Sequence, residues 1–191
     1  MALDKIALDT LFREARARCA FLNEDIPEAT LRAIYDLTKR GPTSGNSSPA
    51  RFVFISSHPA KAALRPALDP AADVAPLTVV VAYDAAFYDQ LPRLLPDDAG
   101  AVARFAGNPE LATETALRDA ALQAAYLIMA ARGLGLGCWL SADFDRARVD
   151  AAFLSGTTWR SILLVDIGYV DRAREFPRRP RLAFEDVCRI V

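Results

Sequence analysis

Histidine occurs once in the 191 residues, at His58, and cysteine three times, at Cys19, Cys138 and Cys188. The cysteines lie far apart and form no C-x-x-C pair, which argues against a disulfide framework and against a zinc site of the usual spacing. They read as small buried hydrophobes or inert surface thiols. A Ser-His-Asp or Cys-His hydrolase would have to use His58, which precedes Pro59 at a predicted helix start, and no G-x-S-x-G accompanies it. His58 therefore reads as a cap or turn residue. No apolar run matches a bilayer: the longest, Ala120 to Ala131, falls short of the about 20 residues required. Met1 to Thr10 alternates charge with apolar side chains and holds no signal-peptide core. Neither charge sign is in excess, 23 basic residues against 24 acidic giving a net −1, which argues against broad attraction to nucleic acid. What is present is apolar substance, 52% of the chain, enough to bury a sizeable core without staples. The expectation is one soluble cytoplasmic domain over residues 1–191, with a small-molecule substrate and neither nucleic-acid nor membrane partner.

Periodicity predicts a helical chain with a few apolar strands. Leu8, Leu11, Phe12 and Ala15 recur at helical spacing, giving a first helix expected to end near Cys19. A second opens at Pro27-Glu28, shows Leu31, Ile34, Tyr35 and Leu37, and stops at Gly41-Pro42. Residues 51–56 (RFVFIS), 77–83 (LTVVVAY) and 161–169 (SILLVDIGY) read as strands, and 138–141 as a short one. Pro59 to Leu68 is a short helix, and Asp145 caps another through Phe153. Pro92 to Gly107, with two prolines and Asp97-Asp98, reads as an irregular excursion with the makings of a lid. The longest helix runs from Pro109 to Arg132. Its second half, AALQAAYLIMAA, is apolar on nearly every side, which predicts burial at the centre of the fold. Without strict βαβ alternation, the fold class is α+β around a mixed or antiparallel sheet.

Two loops carry small residues. Gly133-Gly135-Gly137 follows a helix rather than a strand, so it reads as a helix stop and not a dinucleotide fingerprint. Gly41 to Arg51, GPTSGNSSPAR, places backbone N–H groups, hydroxyls and an amide between a helix end and a strand. It reads either as an ordinary turn or as a loop that hydrogen-bonds a polar ligand.

The stretches LFREAR, LRAIYDL, GPTSGNSSPARFVF, LRPAL, AYDAAFYDQLPRL, LQAAYLI, GLGL, FDRARVDAAF, IGY and RPRLAFEDVC occur in this order along nearly the whole chain. In that arrangement the chain resembles the FMN-dependent nitroreductase family, and within it the malonic semialdehyde reductase branch. The resemblance implies a nitroreductase-like fold with a long buried central helix, and a homodimer with two FMN sites at the subunit interface. It implies hydride transfer from NAD(P)H through the flavin to a second substrate in ping-pong fashion, such as a small aldehyde or an electron-poor acceptor. The cofactor does the hard chemistry, so no catalytic side chain is assigned. By the same resemblance Arg16 contacts the phosphate and Arg18 stands at a second polar contact. Pro42, Thr43, Ser44 and Asn46 form the loop reaching the flavin from the partner subunit. Ala142 and Asp143 approach the ring through their backbone, and Arg179 and Arg181 hold the phosphate, as charge-assisted bonds to a dianion favour. Without the resemblance, Arg16 and Arg18 are a solvated helix face and Arg172 to Arg181 a basic tail.

The chain also departs from the family pattern. Asp69 to Pro76 lacks the usual Asn and Lys, and Asp73 brings the opposite charge. Trp139 to Asp145 (WLSADFD) stands where the branch shows Gly-Pro-Met-Ser-Gly-Phe-Asp. Asp143 adds strain if that Gly has φ > 0, and Trp139 is either core or a filler of ring space. Asp119 and Asp166 replace asparagines, and Asp166, in an apolar strand, must be paired, protonated or at a strand end, with Arg118 or another arginine as the partner expected if it is paired. These changes carry the alternative: a homologue with an altered or lost flavin site, serving as a binding or structural protein or running another flavin reaction.

Overall fold

The computed structural model describes residues 2–174 and 177–191, so Glu175 and Phe176 of the Arg172–Arg181 stretch lie outside the described residues. Its helices are α1 (Lys5–Leu8), α2 (Glu28–Thr38), α3 (His58–Leu64), α4 (Leu91–Leu94), α5 (Ala101–Ala106), α6 (Pro109–Gly133), α7 (Arg146–Phe153) and α8 (Phe184–Val187). The strands are β1 (Ala50–Ile55), β2 (Leu77–Asp84), β3 (Gly137–Ser141) and β4 (Trp159–Gly168), in the order β1-β2-β4-β3. Every pairing is antiparallel. The β-branched runs of β2 and β4 take the two central places, where both faces are covered.

Alternation along the strands makes the two faces distinct. Val79, Val81, Val165, Ile167 and Cys138 pack against Ala120, Ala124, Leu127 and Ala131 of α6 and Ile34 of α2. On the other face Ile55, Val80 and Leu164 meet Leu64 of α3 and Val149 of α7. The result is three layers, helix, sheet and helix. Ala112, Ala116, Ala120 and Ala124 recur every fourth residue on the buried side of α6, and such small side chains allow close approach to the sheet. The fully buried Leu127 and Ile34 each contribute about 1.5–3 kcal/mol through area removed from water.

Burial of α6 is one-sided within the chain. Leu117, Leu122 and Tyr126 are exposed, as are Tyr35 and Leu37 of α2. The all-round apolar pattern thus exceeds what one chain covers, and the expectation of a wholly buried helix is corrected. The Asn108 side chain accepts from the Leu111 N–H at 3.1 Å to start α6, and Gly135, at φ 83°, turns the chain after it, so the glycine run is the helix stop the sequence suggests.

Three further expectations need correction. The first helix is α1 followed by a π-helical turn over Asp9–Arg13, and it ends well short of Cys19. Beyond it the backbone is drawn to the sheet: Arg18 N–H donates to the Cys138 carbonyl and Leu22 N–H to that of Tyr169, both at 2.8 Å. Gly137 and Gly168 permit that approach, since a Cβ on Gly137 would lie 2.5 Å from Val170 and one on Gly168 2.8 Å from the Phe21 ring. The Pro92–Gly107 stretch is not irregular but carries α4 and α5, fastened by edge-to-face packing of Phe87 on Phe105. Finally, Ser57 caps α3 through its hydroxyl, and His58 is only the first helical residue.

Candidate functional site: an arginine-lined cavity at the sheet edge

The extended segment after α1 and the segment beginning at Pro177 come together beside β3. Arg178 ties them, its guanidinium donating to the carbonyls of Arg13 and, at 3.4 Å, Ala15. Between the two segments is a cavity of about 650 Å³ whose lining includes Arg16, Cys19, Trp139, Arg178, Arg179 and Arg181. Four arginines among the lining residues give the cavity a cationic character suited to a multiply charged anion such as a phosphate, and the volume lies in the range of cofactor sites. Three of the arginines expected at a phosphate, Arg16, Arg179 and Arg181, are brought together here. Arg18 is not: its stem packs over Gly137, and it lines a small separate recess with Arg174. Arg178 was not singled out, although its place beside Arg179 in the sequence was the available signal.

Trp139 is 39% exposed and lines this cavity, so it is not core. Register places Trp139 opposite Asp166, and Asp166 opposite Thr78, so the three share a sheet face. A second cavity, of about 320 Å³, shares Cys19 with the first and is lined by Asn23, Asp73, Val74, Asp166 and Arg174 among others. Among the described residues Asp166 forms no ion pair with Arg118 or with any other arginine. The Thr78 hydroxyl donates to it at 2.5 Å, and burial pushes the carboxyl up to about 6 against the lowering effect of that bond. Arg118 is engaged instead by its neighbour Asp119 at 3.2 Å. Asp73 stands 3.7 Å from Arg174, an exposed pair of small energetic weight. Burial also pushes the Cys138 thiol up to about 12, in keeping with a small hydrophobe.

The Gly41–Arg51 loop lies elsewhere. Gly45, Asn46 and Ser48 take φ of 56°, 54° and 44°, and the two non-glycine residues each cost roughly 1–3 kcal/mol in that region. The conformation is held by several bonds. Ser48 N–H donates to Thr43 Oγ1 at 3.1 Å, and the Asn46 amide donates to the Leu94 carbonyl at 2.8 Å. Asp119 on α6 accepts from Ser44 and Ser47. Ser44 and Gly45 line a small cavity of about 190 Å³ with Leu91, Leu95 and Phe105. None of Pro42, Thr43, Ser44 and Asn46 lines the arginine cavity of the same chain. Nor do Ala142 and Asp143, which follow β3 and are exposed. Asp143 N–H donates to Ser141 Oγ at 3.2 Å, and the residue is outside the left-handed region, so the strain anticipated there is not found.

Among the described residues no cluster of His, Cys, Asp and Glu is placed to hold a metal ion, and no helix is long and apolar enough to cross a membrane. The three-layer α+β fold thus carries, at its sheet edge, a cavity lined by arginines and Trp139. Residues 14–169 match the nitroreductase family, and the chain belongs to that family. It is 50% identical to a Burkholderia lata protein named for NADH dehydrogenase and NAD(P)H nitroreductase activity, over 98% of both chains. It is 48% identical to a protein of like name from Stenotrophomonas maltophilia, over 100% of this chain and 98% of the other. Its fold superimposes on that of an Exiguobacterium sibiricum protein, described as a nitroreductase and solved in complex with FMN, with a TM-score of 0.86 at 20% identity, covering 100% of this chain and 99% of the other.

Proposed function

We propose that the protein is an FMN-dependent NAD(P)H oxidoreductase that acts as a homodimer and reduces a small electron-poor acceptor, an aldehyde of the malonic semialdehyde type in particular. The observation that carries this reading is the meeting of Arg16, Arg178, Arg179 and Arg181 with Trp139 in one cavity of cofactor size. A phosphate dianion suits the guanidinium wall, and a planar ring suits the flat face of Trp139. The names of the curated relatives support NAD(P)H as reductant, and the FMN complex of the Exiguobacterium neighbour supports the cofactor.

FMN supplies the hydride relay between the reductant and the acceptor. The chain's own residues bind, orient and shield. Arg16, Arg179 and Arg181 hold the phosphate, and Arg178 keeps the two segments that carry them together. Trp139 covers the ring site from the β3 side, and the backbone of Ala142 and Asp143 lies at the far end of that strand.

A second subunit accounts for two features that one chain leaves open. The Pro42–Asn46 loop does not line its own chain's arginine cavity, and in this reading it serves the partner's. The exposed Leu117, Leu122 and Tyr126 of α6 supply an apolar face for the dimer. A second reading, a family member whose flavin site has changed its use, is favoured by Trp139 on the cavity wall and by Asp73 and Asp166 beside it.

The visible spectrum of the purified protein separates the readings. The expected result is a yellow protein with about one FMN per chain, tryptophan fluorescence quenched on FMN binding, and loss of most of that quenching in Trp139→Phe. A colourless protein whose melting temperature is unmoved by saturating FMN overturns the proposal. NAD(P)H consumption that depends on malonic semialdehyde then supports the acceptor class, and its failure with turnover of other acceptors removes that part alone.

A further inference from the structure

We propose that Asp119 is the positioning residue of the Ser44–Ser47 turn and that, through it, the long helix sets how tightly FMN is held. The inference rests on the reading above, in which this turn serves a flavin bound by a second copy. Asp119 is fully buried in the first half of α6. Its Oδ2 accepts from the Ser44 N–H and the Ser47 hydroxyl, both at 2.8 Å. Its Oδ1 accepts from the Ser44 hydroxyl and the Arg118 Nε–H, both at 3.2 Å. Arg118 also donates to the Ser44 hydroxyl at 3.2 Å, so a serine on the rim is gripped by backbone and side chain together.

The chemistry of these donors favours an acid over an amide at this position. Each carboxylate oxygen faces one N–H that cannot reverse, from Ser44 on one side and from Arg118 on the other. An asparagine has one oxygen, and its amide N–H₂ would point at the second of these donors. One turn further along α6, Gln123 Oε1 accepts from the Ala50 N–H at 2.9 Å. The helix therefore clamps the turn at Asp119 and the strand that leaves it at Gln123, four residues apart on one helix face.

The clamp has work to do because the turn does not favour its own shape. Gly45, Asn46 and Ser48 lie in the left-handed region, which needs surrounding structure to persist. Ser47 is buried beneath the turn, while Ser44, Gly45 and Asn46 are exposed above it. Asp119 itself is beneath the turn and does not line the arginine cavity, so its effect on a ligand passes through the loop.

The test uses the full chain, with the FMN dissociation constant read by flavin fluorescence well below the melting temperature. Asp119→Ala is expected to weaken FMN binding tenfold or more, with the loss falling on affinity rather than on turnover at saturating FMN. Asp119→Asn is expected to fall between Ala and wild type. Ser47→Ala, which removes only a buried hydroxyl, is expected to weaken binding about threefold and to add nothing to Asp119→Ala. A role in folding alone lowers the melting temperature and leaves the dissociation constant of the folded protein unchanged, and that result overturns the proposal. Should Asp119→Ala fail to fold, Ser47→Ala with wild-type affinity overturns it equally. A wild-type protein that takes up no FMN defeats the functional reading and this one with it, whereas equal binding by wild type and Asp119→Ala defeats this one alone.

Discussion

Thr78 and Asp166 face each other directly across the β2–β4 ladder, and the Thr78 hydroxyl donates to the carboxylate at 2.5 Å. A single hydroxyl is a modest partner for an acid placed in an apolar strand between two covered layers. Burial accordingly dominates, and the folded chain holds the Asp166 proton up to about pH 6, against an ordinary value of 3.8.

The sign of the resulting pH dependence follows. Between about pH 4 and pH 6 the folded state keeps a proton that the unfolded state has released, so Asp166 costs stability progressively as pH rises through that window. Above it the cost is constant, on the order of 3 kcal/mol. The other charges facing its cavity, Asp73 and Arg174, form an exposed pair with each other and leave this direction intact. Asp166→Asn, which still accepts from Thr78, is expected to raise unfolding free energy by that amount at pH 7–8 and to change little below pH 4. Urea denaturation across pH 4 to 8 checks it, and a variant less stable than wild type at pH 8 would contradict the account.

Arginine substitutions separate phosphate recognition from ring recognition. Arg16→Ala and Arg179→Ala each remove a charge-assisted donor worth roughly 1.5–3 kcal/mol, so FMN affinity is expected to fall about 10- to 100-fold. Riboflavin, which lacks the phosphate, should bind wild type and variants within about threefold of one another. Fluorescence titration with both ligands reads the difference, and equal losses for the two would place the phosphate elsewhere.

A methyl group on Gly168 would meet the Phe21 ring at 2.8 Å, so Gly168→Ala must push the Ala17–Leu22 segment off the sheet edge. The expected cost is about 1–3 kcal/mol, in the range of overpacked cores. Because Arg16 directly precedes that segment, FMN affinity should fall although the substitution lies outside the cavity. Paired measurements of urea midpoint and FMN affinity test this. A loss of stability with intact affinity would mean that Arg16 is held independently of Phe21.

Tyr126 tests the second subunit. It is exposed on α6 beside Leu122, and its ring lies against Gly41, where a Cβ would come within 2.7 Å of it. Tyr126→Glu puts a charge into the proposed apolar interface, and sedimentation should show a shift from about twice the 20.8 kDa chain mass to one chain, with FMN lost in step. A wild-type protein that sediments as a single chain and still binds FMN removes the dimer from the functional reading.

The layers of the fold were legible because they rest on local pattern. Strands β1, β2 and β4 and helix α6 announce themselves by β-branched runs and helical spacing, and each falls within a residue or two of its expected place. The start of the chain was not legible in the same way. Its apolar spacing continues through Ala15, but hydrogen bonds from Arg18 and Leu22 to strands more than a hundred residues away outweigh helical preference there. The site divides along the same line. Arg16, Arg179 and Arg181 line one cavity, while the places of Asp119 and Asp166 depend on which residues the fold sets opposite them. No local signal gives Ser44 and Ser47 to one acid and Thr78 to the other.

The walls of the arginine cavity come from opposite reaches of the polypeptide, Arg16 near its beginning and Arg178 to Arg181 after the sheet is complete. A nascent chain still attached to the ribosome has no such cavity until Arg181 has emerged and the second segment has returned to β3. A ligand of this cavity would thus be held only by a chain in which both segments have folded against β3. Once loaded, a ligand at a hundred times its dissociation constant would add about 2.7 kcal/mol to the folded state by mass action, acting as a clasp between two stretches that the covalent chain leaves to find each other.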